Sequence, residues 1–159
     1  MSQDTDKALL NGLFALLRKA GVTARQDFKC CSSCAGYALA TELAPLTPVV
    51  FYHRQDAQRA FDGQYFRVDK GYGHDTPEPG GIYLRFGYTT NAAYPDANES
   101  PEAKRALGKF VCECAAKAGL ITKWNGDPDD CVWVQAVEDP RPDDEPTPAT
   151  IAAIAISPA

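Results

Sequence analysis

The chain has 159 residues, 45% of them hydrophobic and 23% charged, with a formal net charge of −5. This length and composition are those of one soluble globular domain that buries its own core. The acidic balance argues against a nucleic-acid partner, because a phosphate backbone is bound by clustered Lys and Arg side chains.

The first half of the sequence carries helical and strand patterns in turn. Apolar residues recur at helical spacing over 5–20, and Gly21 supplies a left-handed stop. Residues 49–52 are apolar on both alternating faces, as in a strand buried on both sides of a sheet. The patterns predict a helix over 5–20, a strand over 23–28, a helix over 32–43, a strand over 49–52 and a helix over 56–62 ended by Gly63.

The second half predicts further strands around one long helix. Ser100 and Pro101 mark the start of that helix, with Ser100 as its cap. The segment 82–88 alternates between apolar and polar residues, which is typical of a strand with one buried face. The patterns predict strands over 65–69 and 82–88, Gly- and Pro-rich or long loops over 71–80 and 89–99, a helix over 101–118, and an antiparallel hairpin of 120–124 with 131–137.

These elements predict one domain and a tail. Residues 1–138 are expected to form a single α+β (or α/β) domain, with a mixed sheet of five or six strands flanked by helices. Residues 139–159 begin with Pro among acidic residues, which predicts an extended, solvated segment. The apolar end of this tail, over 150–156, could dock on the domain.

The sequence also predicts where the protein resides. Residues 1–6 are polar and acidic and do not lead into an apolar run, so no signal peptide is expected. No apolar run approaches the length of a membrane span. We therefore expect a cytoplasmic protein whose six cysteines stay reduced, which favours metal binding or thiol chemistry over a disulfide framework.

Three cysteines fall within five positions, between a predicted strand and the first turn of a helix. We call Cys30, Cys31 and Cys34 the thiol cluster. It could hold a soft metal such as zinc, cycle a disulfide between Cys31 and Cys34, or fill a packing site. A helix N-terminus lowers a thiol pKa, which favours the first two of these roles. Tetrahedral zinc takes four ligands. The candidates for a fourth ligand are Cys112, Cys131 and His53.

Two cysteines share the long helix but differ in their predicted surroundings. Cys114 lies on its apolar stripe and is predicted to be a core residue. Cys112 is two positions away, about 200° around the helix axis. It is therefore predicted to point toward the polar side of the helix.

Polar residues follow the strand predicted over 49–52. His53, Gln55 and Asp56 lie at the edge of the sheet where ligands collect beside helix N-termini, and could form an acid–base site. In the alternative interpretation, Asp56 caps a helix and His53 is a satisfied residue at the strand end. The sequence has no nucleophile elbow, phosphate-binding glycine loop or His-rich metal motif. An enzyme is therefore not favoured.

The two long loops carry aromatic residues and a histidine. Tyr72, His74 and Tyr94 lie in Gly-, Pro- and Asn-rich segments. Tyrosines on loops are frequent anchors for protein partners. These three residues are therefore predicted to bind a protein partner.

Several motifs together resemble an uncharacterised family of bacterial cytoplasmic proteins. They are F-x-C-C-x-x-C from Phe28, V-F-[FY]-H-x-Q-D from Val50, I-Y-L-R-F-G from Ile82 and W-x-G from Trp124. The resemblance covers residues 5–137 and implies a single domain, but it implies no activity. It draws attention to Cys30, Cys31, Cys34, His53, Gln55 and Asp56.

Three classes of function remain open. The first is a small acidic binding protein, possibly of the immunity or antitoxin kind, that acts on a protein partner. The second is a zinc- or other soft-metal-binding domain that uses the thiol cluster. The third is a thiol redox protein or an enzyme that uses Cys31 and Cys34, or His53. The binding protein is the leading expectation, because no catalytic constellation is recognisable.

Overall fold

The computed structural model of the chain describes residues 5–44, 46–67, 79–89 and 100–139. These residues form a single α+β domain, as predicted, with one mixed sheet of five strands and a separate hairpin of two. The helices are α1 (Asp6–Lys19), α2 (Ser32–Glu42), α3 (Arg54–Ala60) and α4 (Pro101–Lys117). The strands are β1 (Thr23–Arg25), β2 (Pro48–Phe51), β3 (Phe61–Asp62), β4 (Tyr65–Phe66), β5 (Gly81–Tyr88), β6 (Ile121–Lys123) and β7 (Val132–Gln135).

The five-stranded sheet has the order β1-β2-β5-β7-β6. Strands β1 and β2 are parallel and are joined through α2, whereas the other neighbouring pairs are antiparallel. β2 therefore has a partner on each side, with Val50 opposite both Ala24 and Phe86. Val49 and Val50, which point to opposite faces, are both buried. The interior position predicted for residues 49–52 is confirmed.

One face of the sheet carries the main core, where α1 and α4 pack. Val50, Leu84 and Val132 contribute fully buried side chains from three neighbouring strands. Both helices begin at a side-chain cap, and Ser100 is the cap predicted for α4. The hydroxyls of Thr5 and Ser100 accept hydrogen bonds from first-turn N–H groups at 3.1 Å and 3.0 Å, which satisfies donors that would otherwise be unpaired.

On the opposite face of the sheet, an ion pair joins β1 to the end of α2. Arg25 of β1 projects from this face, because its neighbour Ala24 belongs to the main core. The guanidinium of Arg25 bonds the carboxylate of Glu42, at the end of α2, at 2.9 Å. Tyr83 of β5 and Trp133 of β7 are paired in register and point away from the core, and 52% of Tyr83 is exposed.

Two local predictions differ from the structure. The helix predicted over 56–62 instead runs over Arg54–Ala60. It begins two residues earlier than predicted because His53 is its N-cap. Gly63, with φ +64°, lies in the turn between β3 and β4 and does not end the helix. The strand predicted over 65–69 pairs with β3 in the separate hairpin, so the main sheet has five strands.

Some predictions fall outside the described residues. Tyr72, His74 and Tyr94 are among them, as are most of the two long loops and the tail beyond residue 139. The partner-binding role of these three residues therefore stays a prediction. Within the described ranges, no helix combines the length and the apolarity that crossing a membrane requires.

Candidate functional site

The thiol cluster lies just beyond the end of β1, where α2 begins. Its three Sγ atoms all lie within 4.8 Å of one another. The Sγ atom of Cys30 is 3.7 Å from that of Cys31 and 3.4 Å from that of Cys34. All three are thiols outside any disulfide; Cys30 and Cys34 are exposed and Cys31 is half-buried. Three cysteines that are close in sequence are therefore also adjacent in space and open to solvent.

Backbone hydrogen bonds hold the cysteine segment against the start of α3. The N–H of Arg54 donates to the carbonyl of Lys29 at 2.9 Å, and the N–H of Gln55 donates to the carbonyl of Cys30 at 3.4 Å. Lys29 has a left-handed φ of +62°, which turns the chain immediately before the first cysteine. Because β1 and β2 are parallel, their carboxyl ends meet at one edge of the sheet. That edge carries the thiol cluster beside the segment that begins at His53.

The thiols of the cluster influence one another's ionisation. The pKa of Cys34 is raised from its usual 9.0 to about 11. Hydrogen bonds with the Cys30 and Cys31 side chains are the main cause, and electrostatic repulsion between neighbouring thiolates adds to it. Without a metal ion, Cys34 is therefore protonated at neutral pH. A bound cation would reverse this effect, because it stabilises the thiolate.

The cysteines of α4 belong to the packing between that helix and the sheet. Cys114 is 4% exposed within the main core, as predicted. Cys112, predicted to point to the polar side of the helix, is instead half-buried and hydrogen-bonds Thr122 of β6. Burial raises the pKa of both thiols. Neither belongs to the group of ligand atoms that could share an ion with the thiol cluster.

A second group of polar side chains lies beyond the end of β2. It consists of His53, Asp56, Arg85 of β5 and Cys131, and we call it the His53 group. Asp56 Oδ2 lies 3.3 Å from His53 Nε2 and 3.7 Å from Arg85 Nε. Arg85 Nη1 lies 3.9 Å from Cys131 Sγ. The group therefore combines an acid, a base, a cation and a thiol.

The interior of the His53 group is largely withheld from water. His53 is 4% exposed. Burial is the main cause of the raised pKa of the Cys131 thiol, and the nearby Arg85 guanidinium partly offsets this rise. Asp56 Oδ2 and Arg85 Nε are buried and make no hydrogen bond within the described part of the chain. His53 and Cys131 contact other members of this group. Like Cys112, they are not part of the thiol cluster.

Sequence reasoning identified half of the His53 group. The structure brings His53 and Asp56 together as the polar trio suggested, but the exposed side chain of Gln55 is not part of the contact. Arg85 was missed, and Cys131 was considered only as a fourth ligand for the thiol cluster. In the sequence, Arg85 is one of the polar residues on the outward face of a predicted strand. Ordinary surface residues occupy the same positions, so the pattern does not identify it as a site residue.

Comparison with known proteins places the chain in a family without adding an activity. No curated protein and no solved structure matches it. The motifs that begin at Phe28 and Val50 predict membership of an uncharacterised family. Residues 2–139 match the domain of unknown function DUF6891, and because this match spans most of the 159 residues, the chain belongs to the DUF6891 family.

Proposed function

We propose that this domain binds a soft metal ion, zinc or copper(I), through the thiol cluster. The observation that carries the proposal is the spacing of the three sulfur atoms, all within 4.8 Å, with two separations of 3.7 Å and 3.4 Å. In a tetrahedral zinc site with Zn–S bonds of about 2.3 Å, neighbouring sulfurs stand about 3.8 Å apart. Small side-chain movements would bring the thiols to that spacing.

The identity of the ligands supports a soft ion over a hard one. Thiolates favour zinc and copper(I), whereas magnesium and calcium are bound by oxygen. No carboxylate or imidazole belongs to the thiol cluster in the described residues. With three protein ligands, zinc would keep a fourth position for water or another molecule, and copper(I) would be bound by sulfur alone. Such an open position is typical of metal sites that react or exchange their ion.

The raised pKa of Cys34 weighs against Cys34 as the attacking thiol of a redox pair. Attack on a disulfide requires a thiolate, and a thiol with a pKa of about 11 supplies little of it at neutral pH. Metal binding must also remove this proton, but the bound ion then receives the thiolate's charge. The ionisation of Cys34 therefore makes metal binding depend on pH without preventing it.

The test is metal analysis of protein purified without chelators, followed by titration of the metal-free, reduced protein with Zn²⁺, Cu⁺ and Mg²⁺. We expect one equivalent of Zn²⁺ or Cu⁺ to bind and Mg²⁺ not to bind. Substitution of Co²⁺ should give the intense near-ultraviolet absorption of cobalt–thiolate bonds. The variants Cys30→Ser and Cys34→Ser should lose this binding, and the matched control Cys131→Ser should keep it. Stoichiometric binding that survives both substitutions would refute the proposal.

A further inference from the structure

We infer that the thiol cluster also binds the neutral hydroxide of a trivalent metalloid, of which arsenous acid is the simplest, through one bond from each of its three sulfurs. The inference rests on the proposed function in one respect, because it places the same three thiols around a single centre. A metalloid hydroxide and a metal ion differ in the number of donors they need, in the angle between their bonds, and in what becomes of the thiol protons.

The first difference is the number of donors. The thiol cluster offers three sulfur atoms within 4.8 Å of one another, and no other His, Cys, Asp or Glu of the described residues joins them. A structural zinc ion takes four ligands, so it needs a donor from elsewhere. A trivalent arsenic atom forms three bonds and keeps a lone pair in the remaining direction, and soft centres prefer thiolates. Three thiolates therefore complete its coordination.

The second difference is the spacing of the sulfurs. Cys30 Sγ lies 3.4 Å from Cys34 Sγ and 3.7 Å from Cys31 Sγ, whereas the sulfurs around a tetrahedral zinc ion stand about 3.8 Å apart. The bonds of three-coordinate arsenic meet closer to a right angle, because the lone pair occupies the fourth direction. Its sulfurs consequently stand closer together than those around zinc. Both separations lie below the zinc value and suit the narrower arrangement.

The third difference concerns the proton of Cys34. The pKa of this thiol is raised to about 11, and every interaction that shifts it acts in that direction, with the hydrogen bonds to Cys30 and Cys31 foremost. A zinc ion must therefore displace the proton into the solvent. Arsenous acid brings an acceptor for it, because each of its hydroxyl groups leaves as water with the proton of one thiol.

This exchange balances without an added base or oxidant. One As(OH)₃ and three thiols, RSH, give one As(SR)₃ and three molecules of water. Three As–O and three S–H bonds break, and three As–S and three O–H bonds form. Arsenic stays trivalent and no sulfur is oxidised. The proton of Cys34 therefore adds no pH dependence to this reaction, although it weakens the binding of a metal ion as the pH falls.

The position of the thiol cluster gives a small hydroxide access to sulfurs that the backbone holds in place. Cys30 and Cys34 are exposed. The N–H of Ala35 donates to the carbonyl of Cys31 at 3.0 Å, which fixes the first turn of α2, and the N–H of Gln55 donates to the carbonyl of Cys30. The three thiols are therefore near one another before a ligand arrives, which lowers the entropy that binding must overcome.

The test is a titration of the reduced, metal-free full-length protein with arsenite. A phosphine keeps the thiols reduced, because dithiol reductants themselves bind arsenic. We expect one equivalent to bind, with a mass gain of one arsenic atom less three hydrogens in the intact protein. Between pH 6.5 and pH 8 the affinity for arsenous acid should change by less than about threefold, whereas that for Zn²⁺ should fall about tenfold for each pH unit lost.

Variants test whether the three thiols act together. Cys30→Ser and Cys34→Ser, both at exposed positions, should each weaken the binding of arsenous acid by about tenfold or more, because one intramolecular bond is lost. Phenylarsine oxide, whose arsenic binds only two thiols, should still bind both variants through the remaining pair. Cys112→Ser, at a half-buried position of α4 outside the cluster, is the matched control and should change neither affinity.

The outcomes distinguish this inference from the proposed function. Binding of Zn²⁺ or Cu⁺ without arsenous acid would overturn the inference alone. Binding of arsenous acid without either metal ion would support the inference and refute the proposed function, and binding of none of them would overturn both. An affinity for arsenous acid that falls as steeply with pH as that for Zn²⁺, or that survives both substitutions, would also overturn the inference.

Discussion

His53 contacts Asp56 through both nitrogens of its imidazole ring. Nδ1 accepts a hydrogen bond from the backbone N–H of Asp56 at 3.2 Å, and Nε2 lies 3.3 Å from the Asp56 carboxylate. The first contact is the N-cap of α3, and it requires an unprotonated Nδ1, so the neutral ring carries its proton on Nε2. One side chain thus both begins the helix and faces the acid of the His53 group.

Replacing His53 should therefore destabilise the domain. We expect His53→Ala to lower the free energy of unfolding by about 2 kcal/mol, from the lost cap and a buried side chain. His53→Asn should lose less, because asparagine is a good N-cap. Gln55→Ala, at an exposed neighbouring position, is the control and should change stability by less than about 0.5 kcal/mol. Urea unfolding measures all three, and equal effects of Ala and Asn would contradict the capping role.

The thiol cluster should bind metal more weakly as the pH falls. Cys34 has a raised pKa of about 11, so below that pH it is protonated and must release its proton to the solvent when the ion binds. This thiol alone should weaken binding about tenfold for each pH unit lost between pH 9 and pH 6. Competition with a chromophoric chelator, corrected for the chelator's own protonation, measures the slope. A pH-independent affinity would contradict the assignment.

The start of α1 is fixed by a buried carboxylate. Asp6 is fully buried, and its Oδ2 accepts a hydrogen bond from the backbone N–H of Phe66 at 2.8 Å. Asp6→Ala would leave that N–H buried and unpaired, so we expect a loss of about 2 to 3 kcal/mol in the free energy of unfolding. Asp62→Ala, at an exposed position of β3, is the control with almost no expected effect. A loss below about 0.5 kcal/mol for Asp6→Ala would show that the bond is dispensable.

Gly81 should be needed for the position of Trp133. An added Cβ would meet the carbonyl of Val134 and would come within 2.7 Å of the indole. We expect Gly81→Ala to cost about 1 to 3 kcal/mol in stability and to shift the tryptophan emission by moving the indole. Gly12→Ala, where the nearest atom would be 4.0 Å away, is the control. Emission unchanged from the parent protein would mean that Gly81 does not set the position of the Trp133 indole.

The tail remains predicted to be separable from the domain. The DUF6891 match ends at residue 139, and the composition changes there to Pro and acidic residues, which are poor core formers. We expect a chain that ends at residue 139 to keep its midpoint of thermal unfolding within about 2 °C of that of the full chain. A drop of 5 °C or more, roughly 1 kcal/mol or above for a domain of this size, would mean that the apolar segment 150–156 contributes to the folded domain.

Local features of the sequence determined much of the fold and one of the two polar sites. Ser100 begins α4 as predicted, because capping depends on a few neighbouring residues. The two-faced apolarity of residues 49–52 marked the interior strand, because a strand with a partner on each side buries both of its faces. The thiol cluster could be predicted from the sequence because its three cysteines are close in the chain. They lie at the start of one helix, which keeps them close in space.

What only the tertiary structure decided is the surroundings of His53. Arg85 and Cys131 are 46 residues apart in the chain and meet because β5 and β7 are neighbours in the sheet. The contact between Tyr83 and Trp133 likewise depends on strand order, and Gly108 of α4 leaves the room that Trp124 fills. Periodicity reports which face of a strand is buried, but it does not report which distant strand lies beside it, because pairing is decided by packing of the whole sheet.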